Sequence, residues 1–298
     1  MTADGSSECL SLQLFGIPTL IIADDPRLIM AARTAYAQWS LETPVPKPHI
    51  ELRLETGSAS SDGVCLDISV EGSRLQLSGP GASGAADAAT GRAKAIMSAE
   101  LARDPAAFAD VTDTLLLFLL ARSGRTPVHA SAFILGDLAV VLAGPSGSGK
   151  STLALAAAGR GLPILSDDMV FVQREPSFVV WGLARPIHVY PTDSPPGEHP
   201  VRARNDKTKM AIGPATAALK AERAVLVLLE HGAGLHLRPI ERGEAIKALM
   251  NLDPGFDLLT AESRTAIDAL AESGTWRLTL TDDPGAAIDL AMRQFATP

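Results

Sequence analysis

Apolar and polar positions alternate over Cys9–Phe15, Ile50–Leu54, Val64–Val70 and Leu75–Leu77, and Thr19–Ala23 is a short apolar run, so each predicts a β-strand. Gly72-Ser73 supplies the turn between the last two alternating runs. Asp24 and Asp25 precede Pro26 as the start of a helix requires, and Leu28, Ile29, Ala32, Ala35, Tyr36 and Trp39 then recur at helical spacing. Tyr36 and Trp39 are read as core residues, and Pro44-Val-Pro-Lys-Pro48 stops the helix. The pattern predicts a small antiparallel sheet with one helix. Gly79–Gly91, rich in Gly, Ala and Ser, reads as a loop, and Arg92–Leu101 and Phe108–Ser123 read as two helices bridging to the second half.

The second half opens with two apolar runs, Val128–Leu135 and Leu138–Ala143, around Gly136-Asp137. Two strands so close in sequence form a hairpin, which makes the sheet mixed rather than purely parallel. A helix over Thr152–Gly159 follows, then strands ending at Leu165 and covering Met169–Gln173, Phe178–Leu183 and Ile187–Tyr190. Thr192–Pro200 is a proline-rich loop and Val201–Lys209 a basic segment. Ala224–Leu229 reads as a buried strand with Leu235–Leu237 as its partner, and Trp276–Leu280 as another strand. Helices are predicted near Gly243–Leu252, Pro254–Glu272 and Pro284–Phe295, the last capped by Asp282 or Asp283. The fold class is α/β, with a mixed-sheet domain over 128–298 preceded by a small α+β domain over 1–127.

Between the second strand of the hairpin and its helix stands Gly144-Pro-Ser-Gly-Ser-Gly-Lys-Ser151, the complete GxxxxGK[ST] phosphate-binding pattern between a strand and a helix, as the chemistry requires. Gly144, Gly147 and Gly149 allow the backbone to turn tightly and aim its N–H groups inward, against the positive end of the following helix. Pro145, Ser146, Ser148 and Thr152 complete the loop and its exit; Lys150 is placed to reach the β and γ phosphates, and Ser151 to ligate Mg²⁺. ATP and Mg²⁺ are the implied cofactors. A Mg-nucleotide also needs an acidic group beside the loop, commonly at the end of a neighbouring strand. Asp167-Asp168 closes the next apolar run, and successive residues of an extended chain point oppositely, so one acid is expected to act as general base and the other at the metal. Glu230, after Val225–Leu229, is the rival acid. His129, at the head of the hairpin, can lie beside the loop's exit, whereas His49, His188, His199, His231 and His236 show no ligand spacing.

Taken together, His129-Ala-Ser131, the hairpin, the glycine-rich loop, Gly159-Arg-Gly-Leu162 and Leu165-Ser-Asp-Asp168 resemble the catalytic domain of the HPr serine kinase/phosphorylase family, in the same order. The resemblance covers about Val128–Gln173 and extends more loosely to Ile212. It implies a phosphate-loop kinase domain in which Asp167 is the base on a serine hydroxyl, His129 supports it, Lys150 and Ser151 hold phosphate and Mg²⁺, and Asp168 is an auxiliary acid at the metal. Thr152 stands where the family has Glu, and neither residues 1–127 nor the segment after the Asp pair matches the family's amino-terminal and HPr-docking parts. Size and layout look more like the HPr-kinase-related proteins of biosynthetic clusters, including kinases of a lasso-peptide precursor. The implied activity is ATP-dependent phosphorylation of a serine on a peptide or small protein, with Arg185, Arg202, Arg204, Lys207 and Lys209 as candidate contacts for a phosphate or an acidic substrate end. A small-molecule kinase and a nucleotide-dependent ATPase or switch without an acceptor are the alternatives; the related kinases are oligomers, so a homo-oligomer is one candidate state, which the sequence does not decide.

Composition narrows the partners. The 298 residues are 46% hydrophobic with a net charge of −8, which disfavours nucleic acid as a partner because tracking phosphates needs a basic stripe. Val111–Ala121 is too short to span a bilayer, and the opening Met1-Thr-Ala-Asp-Gly-Ser-Ser-Glu8 is polar and predicts no signal peptide. Cys9 and Cys65 have no metal or disulfide spacing, which suits a reducing compartment; a cytoplasmic enzyme that binds neither nucleic acid nor membrane is expected.

Overall fold

The computed structural model describes residues 7–58, 65–183, 185–189, 200–204, 207–213, 216–252 and 263–296, with the backbone alone at 189, 200–204 and 207–211. Val64, the loop over 192–199 and the first half of the helix expected from Pro254 lie outside the described residues. The chain divides into two compact units, one built on residues up to Ser123 and the other from Gly124 onward. Among the described residues no helix is long and apolar enough to cross a membrane.

In the first unit β1 (Glu8–Leu14) and β2 (Ile17–Ala23) form a hairpin, and α1 (Pro26–Ala35) crosses to β3 (Ile50–Thr56), which pairs parallel with β2. Asp25 caps α1 through the Arg27 N–H at 2.8 Å, with Pro26 in the first turn. A meander follows: β4 (Asp67–Glu71), β5 (Arg74–Gly79), β6 (Ala82–Asp87) and β7 (Arg92–Met97), the last pairing parallel with β3. The sheet order is β1-β2-β3-β7-β6-β5-β4, so the sheet is mixed and not antiparallel throughout. The expected loop over Gly79–Gly91 and helix over Arg92–Leu101 are instead this β6–β7 hairpin and a short 3₁₀ turn.

Alanine favours a helix in isolation, but here Ala93, Ala95 and Met97 alternate inward with Arg92 and Lys94 outward. Their smallness has a packing cause. The helix α2 (Pro105–Ala121), capped by Asp104 on the Ala106 and Ala107 N–H groups, lies on this face and buries Phe108, Leu115, Phe118 and Leu119. It belongs to the first unit rather than bridging out of it. A Cβ at Gly84 in β6 would come within 2.9 Å of the Lys94 carbonyl oxygen and 3.2 Å of Leu115 Cδ1. Tyr36 and Trp39 are buried, as core residues should be.

The second unit is built on a nine-stranded mixed sheet. β8 (Thr126–Leu135) and β9 (Leu138–Ala143) form the expected hairpin, and α3 (Lys150–Ala158) follows the glycine-rich loop. Next come β10 (Ile164–Ser166), β11 (Met169–Gln173), β12 (Val179–Gly182), β13 (Ile187–Val189), β14 (Pro200–Arg204), β15 (Lys207–Ile212), β16 (Lys220–Ala221), β17 (Arg223–His231) and β18 (His236–Pro239). The chain closes with α4 (Arg242–Met250), α5 (Ser263–Glu272), β19 (Thr275–Leu280) and α6 (Pro284–Phe295), which Asp283 caps through the Ala286 N–H.

The main sheet runs β16-β12-β11-β8-β9-β17-β19-β18, with β10 also on β8, while β13, β15 and β14 form a separate small sheet. β17 is parallel to both β9 and β19, so both its edges are taken, and β18 pairs with β19 rather than with β17 as the sequence suggested. Val140 and Leu142 pack with Leu153, Ala157 and Ile288 on one face, and Val141 and Ala143 with Ile246, Ile267 and Leu270 on the other. Burial on both faces explains why β9 and β17 read as unbroken apolar runs.

Close packing of α2 on β6 makes a specific demand. Gly84→Val is expected to lower unfolding free energy by about 1–3 kcal/mol, measured by urea denaturation; an unchanged midpoint would contradict the packing described.

Candidate functional site

The glycine-rich loop leaves β9 at Ala143 and re-enters helix at Lys150. Gly147 and Gly149 have φ of +82° and +96°, in the left-handed region that side chains with a Cβ avoid. Gly144 serves differently: a Cβ there would come within 2.6 Å of Ser148 Oγ, so the loop closes on itself only with glycine at its mouth. The Ser148 N–H donates to the Pro145 carbonyl at 3.1 Å, and the Leu153 N–H to the Gly149 carbonyl at 2.9 Å, which starts α3. Lys150 is buried, and its Nζ donates to the Gly144 and Pro145 carbonyls at 2.7 and 3.1 Å. The ammonium thus lies across the loop. Ser148 Oγ is buried and, among the described residues, has no hydrogen-bond partner, an orphaned polar atom inside the same loop.

β8 brings the acids to the loop. Its first half pairs with β11, Met169 opposite His129, and its second half with β10, Ser166 opposite Ala132. Asp167 and Asp168 form the turn between these strands, opposite Ala130 and Ser131, and the Ala130 N–H donates to the Asp168 carbonyl at 3.1 Å. The two acids separate as the alternation predicts. Asp168 is 80% exposed, with Oδ1 3.8 Å from His129 Nδ1, whereas Asp167 is 6% exposed. The Asp167 carboxyl accepts from the His188 N–H at 3.0 Å on Oδ2, the Ser151 hydroxyl is near enough to lower its pKa, and Ser131 Oγ lies 3.3 Å from Oδ1 while also donating to the Asp167 carbonyl. Burial pushes the Asp167 carboxyl above the ordinary aspartate value, the His188 N–H and the Ser151 hydroxyl pull it back, and neighbouring Asp168 adds to the rise.

His129, Lys150, Ser151, Asp167 and Asp168 therefore gather where the hairpin, the loop and the β10–β11 turn meet. Other candidates lie elsewhere. Glu230 is engaged on β17 by Thr279 Oγ1 at 2.9 Å and by Arg277 Nε at 3.4 Å. Arg185 is half-buried between β12 and β13, with its N–H on the Leu183 carbonyl at 2.8 Å. Arg202 and Arg204 in β14 pair in register with Lys209 and Lys207 in β15, in the same small sheet as His188. Two residues that spacing did not single out also belong to the site, Ser131 and His188. His188 contributes through its backbone N–H, which no side-chain motif encodes, and Ser131 stands in the quoted His129-Ala-Ser131 run without a role. His231 adds a third neighbour, with Nε2 3.4 Å from the Gly147 carbonyl.

The arrangement has the chemistry of a Mg-nucleotide site. Magnesium takes few protein ligands and fills its octahedron with phosphate oxygens and water. A serine hydroxyl at the head of a helix beside a carboxylate fits that donor set, as does a loop of inward amides with an orphaned hydroxyl and a lysine. Among the described residues there is no group of three or more His, Cys, Asp and Glu that could hold a metal.

No protein-family model matches the chain, and no curated protein matches it. Among solved structures it is similar to the Hpr(Ser) kinase/phosphatase from Coxiella burnetii, at 12% identity and a TM-score of 0.31, covering 57% of this chain and 95% of that one. A likeness of this degree carries no argument about activity.

The raised pKa of Asp167 has a stability consequence of defined sign. A carboxyl held above its unfolded value contributes stability below about pH 4 that is lost as pH rises through the folded value. Asp167→Asn is therefore expected to be more stable than wild type at pH 7 in metal-free buffer, with the difference shrinking as pH falls through the ordinary aspartate range. Thermal melts across pH check this, and a variant destabilised equally at every pH would contradict it.

Proposed function

We propose that this protein is an ATP-dependent, Mg²⁺-requiring kinase that phosphorylates a serine hydroxyl of a peptide or small protein. The observation that carries the reading is the buried Asp167 carboxyl, held by the His188 N–H at 3.0 Å and near enough to Ser151 of the phosphate loop for that hydroxyl to lower its pKa, which joins the loop to a candidate base.

The loop amides and the positive end of α3 hold the polyphosphate. On nucleotide binding Lys150 exchanges the Gly144 and Pro145 carbonyls for phosphate oxygens and neutralises charge on the transferring group. Ser151, with Asp168 as the auxiliary acid, would hold Mg²⁺, which when bound offsets the negative charge of the phosphate oxygens. Asp167 accepts the proton of the acceptor hydroxyl; burial makes it a stronger base than an exposed aspartate, and its fixed donors keep it aimed. His129, with Nδ1 3.8 Å from Asp168 Oδ1, supports the turn that carries the base. The paired basic positions in β14 and β15 extend from the sheet that supplies the His188 amide, which suits an acceptor with an acidic segment, such as a ribosomally made peptide precursor.

The test is transfer of γ-labelled phosphate from Mg-ATP to an array of serine-containing peptides. Wild type is expected to label serine, and Asp167→Asn to lower transfer by about 10²–10⁴-fold while nucleotide binding persists. Hydrolysis of ATP with no labelled acceptor, equal in both proteins, would contradict the assignment and leave a nucleotide switch.

A further inference from the structure

Ser131 lies in the middle of β8, completely buried, between the apolar residues Ala130 and Ala132. A hydroxyl so far from water has to find a partner, and this one finds Asp167 twice. Its Oγ donates to the Asp167 carbonyl and lies 3.3 Å from Asp167 Oδ1.

The sheet topology gives the reason. β8 exchanges one partner strand for another between Met169, opposite His129, and Ser166, opposite Ala132, so the Asp167-Asp168 turn is left out of both ladders. The Asp168 carbonyl recovers a partner in the Ala130 N–H, while the Asp167 carbonyl takes the side chain one residue further along β8. The serine hydroxyl thus replaces a missing ladder hydrogen bond, and the same oxygen stands beside the carboxyl that the turn presents. With the His188 N–H on Oδ2, the carboxyl is referenced to β8 on one side and to β13 on the other.

We propose that Ser131 is a positioning residue, whose hydroxyl fixes the Asp167 main chain and the direction of its carboxyl for proton abstraction from the acceptor. The inference rests on the reading of Asp167 as the base. It predicts a loss confined to the chemical step, because Ser131 has no hydrogen bond to the phosphate loop among those described and the misplacement falls on Asp167 alone.

The experiment uses the full chain, γ-labelled Mg-ATP and the array of serine-containing peptides. Ser131→Ala is expected to lower kcat by about 10–100-fold, the range of a misplacement near 1 Å, with KM for ATP unchanged. Ser131→Thr and Ser131→Val have the same shape and differ only in the hydroxyl, so they carry the test even if Ser131→Ala fails to fold. The threonine variant is expected to keep most of the wild-type kcat and the valine variant to lose it. Equal activity in the threonine and valine variants, or wild-type kcat in Ser131→Ala, would overturn the role of the hydroxyl. Full transfer by Asp167→Asn would instead overturn the reading on which it rests, whatever the Ser131 variants do.

Discussion

A carboxyl withdrawn from water keeps its charge only where donors replace the water it loses, and the second unit is arranged around meeting that requirement at Asp167. Each polar neighbour comes from a different element: the Ser151 hydroxyl, which lowers the carboxyl's pKa, from the first turn of α3, the His188 N–H from β13, and the Ser131 hydroxyl from β8. For the three to converge, β8 must change partners at the turn, α3 must start directly after the loop, and β13 must bring the His188 N–H to the carboxyl. Burial raises the Asp167 carboxyl above the ordinary aspartate value, while the donors pull it back.

The glycine-rich loop depends on the same economy of space. Gly144 closes against Ser148 Oγ, and Gly147 and Gly149 take backbone conformations that set the amides inward. Lys150 folds back on the Gly144 and Pro145 carbonyls, so its charge is already solvated by the loop it serves. In the first unit, close approach again dictates composition: α2 lies near enough to the sheet that β6 and β7 carry Gly84, Ala93 and Ala95 where bulkier residues are usual in strands.

These local causes explain which parts were legible in the sequence. The hairpin, the loop and α3 were readable because their signals are contiguous: apolar runs, a Gly-Asp turn and an eight-residue motif between strand and helix. The acidic pair was readable because a strand that follows a loop helix returns near the loop. The β6–β7 hairpin was misread because alanine's helical preference outweighed a weak alternation, and its pairing with β3 is set by residues some forty positions away. The partner of β18 was misassigned because β17 has both edges filled by distant strands. His188 and Ser131 were missed as site residues for a related reason. One acts through its backbone and the other through a change of strand partners, and neither leaves a spacing to recognise.

The glycine-rich loop and Asp167 are expected to form one nucleotide site, and calorimetric titration of ATP into the protein with and without Mg²⁺ tests that most directly. Saturable one-to-one binding that strengthens with Mg²⁺ and is lost in Lys150→Ala is the predicted result. Absence of binding heat with Mg²⁺ present, or binding that survives Lys150→Ala unchanged, would contradict it.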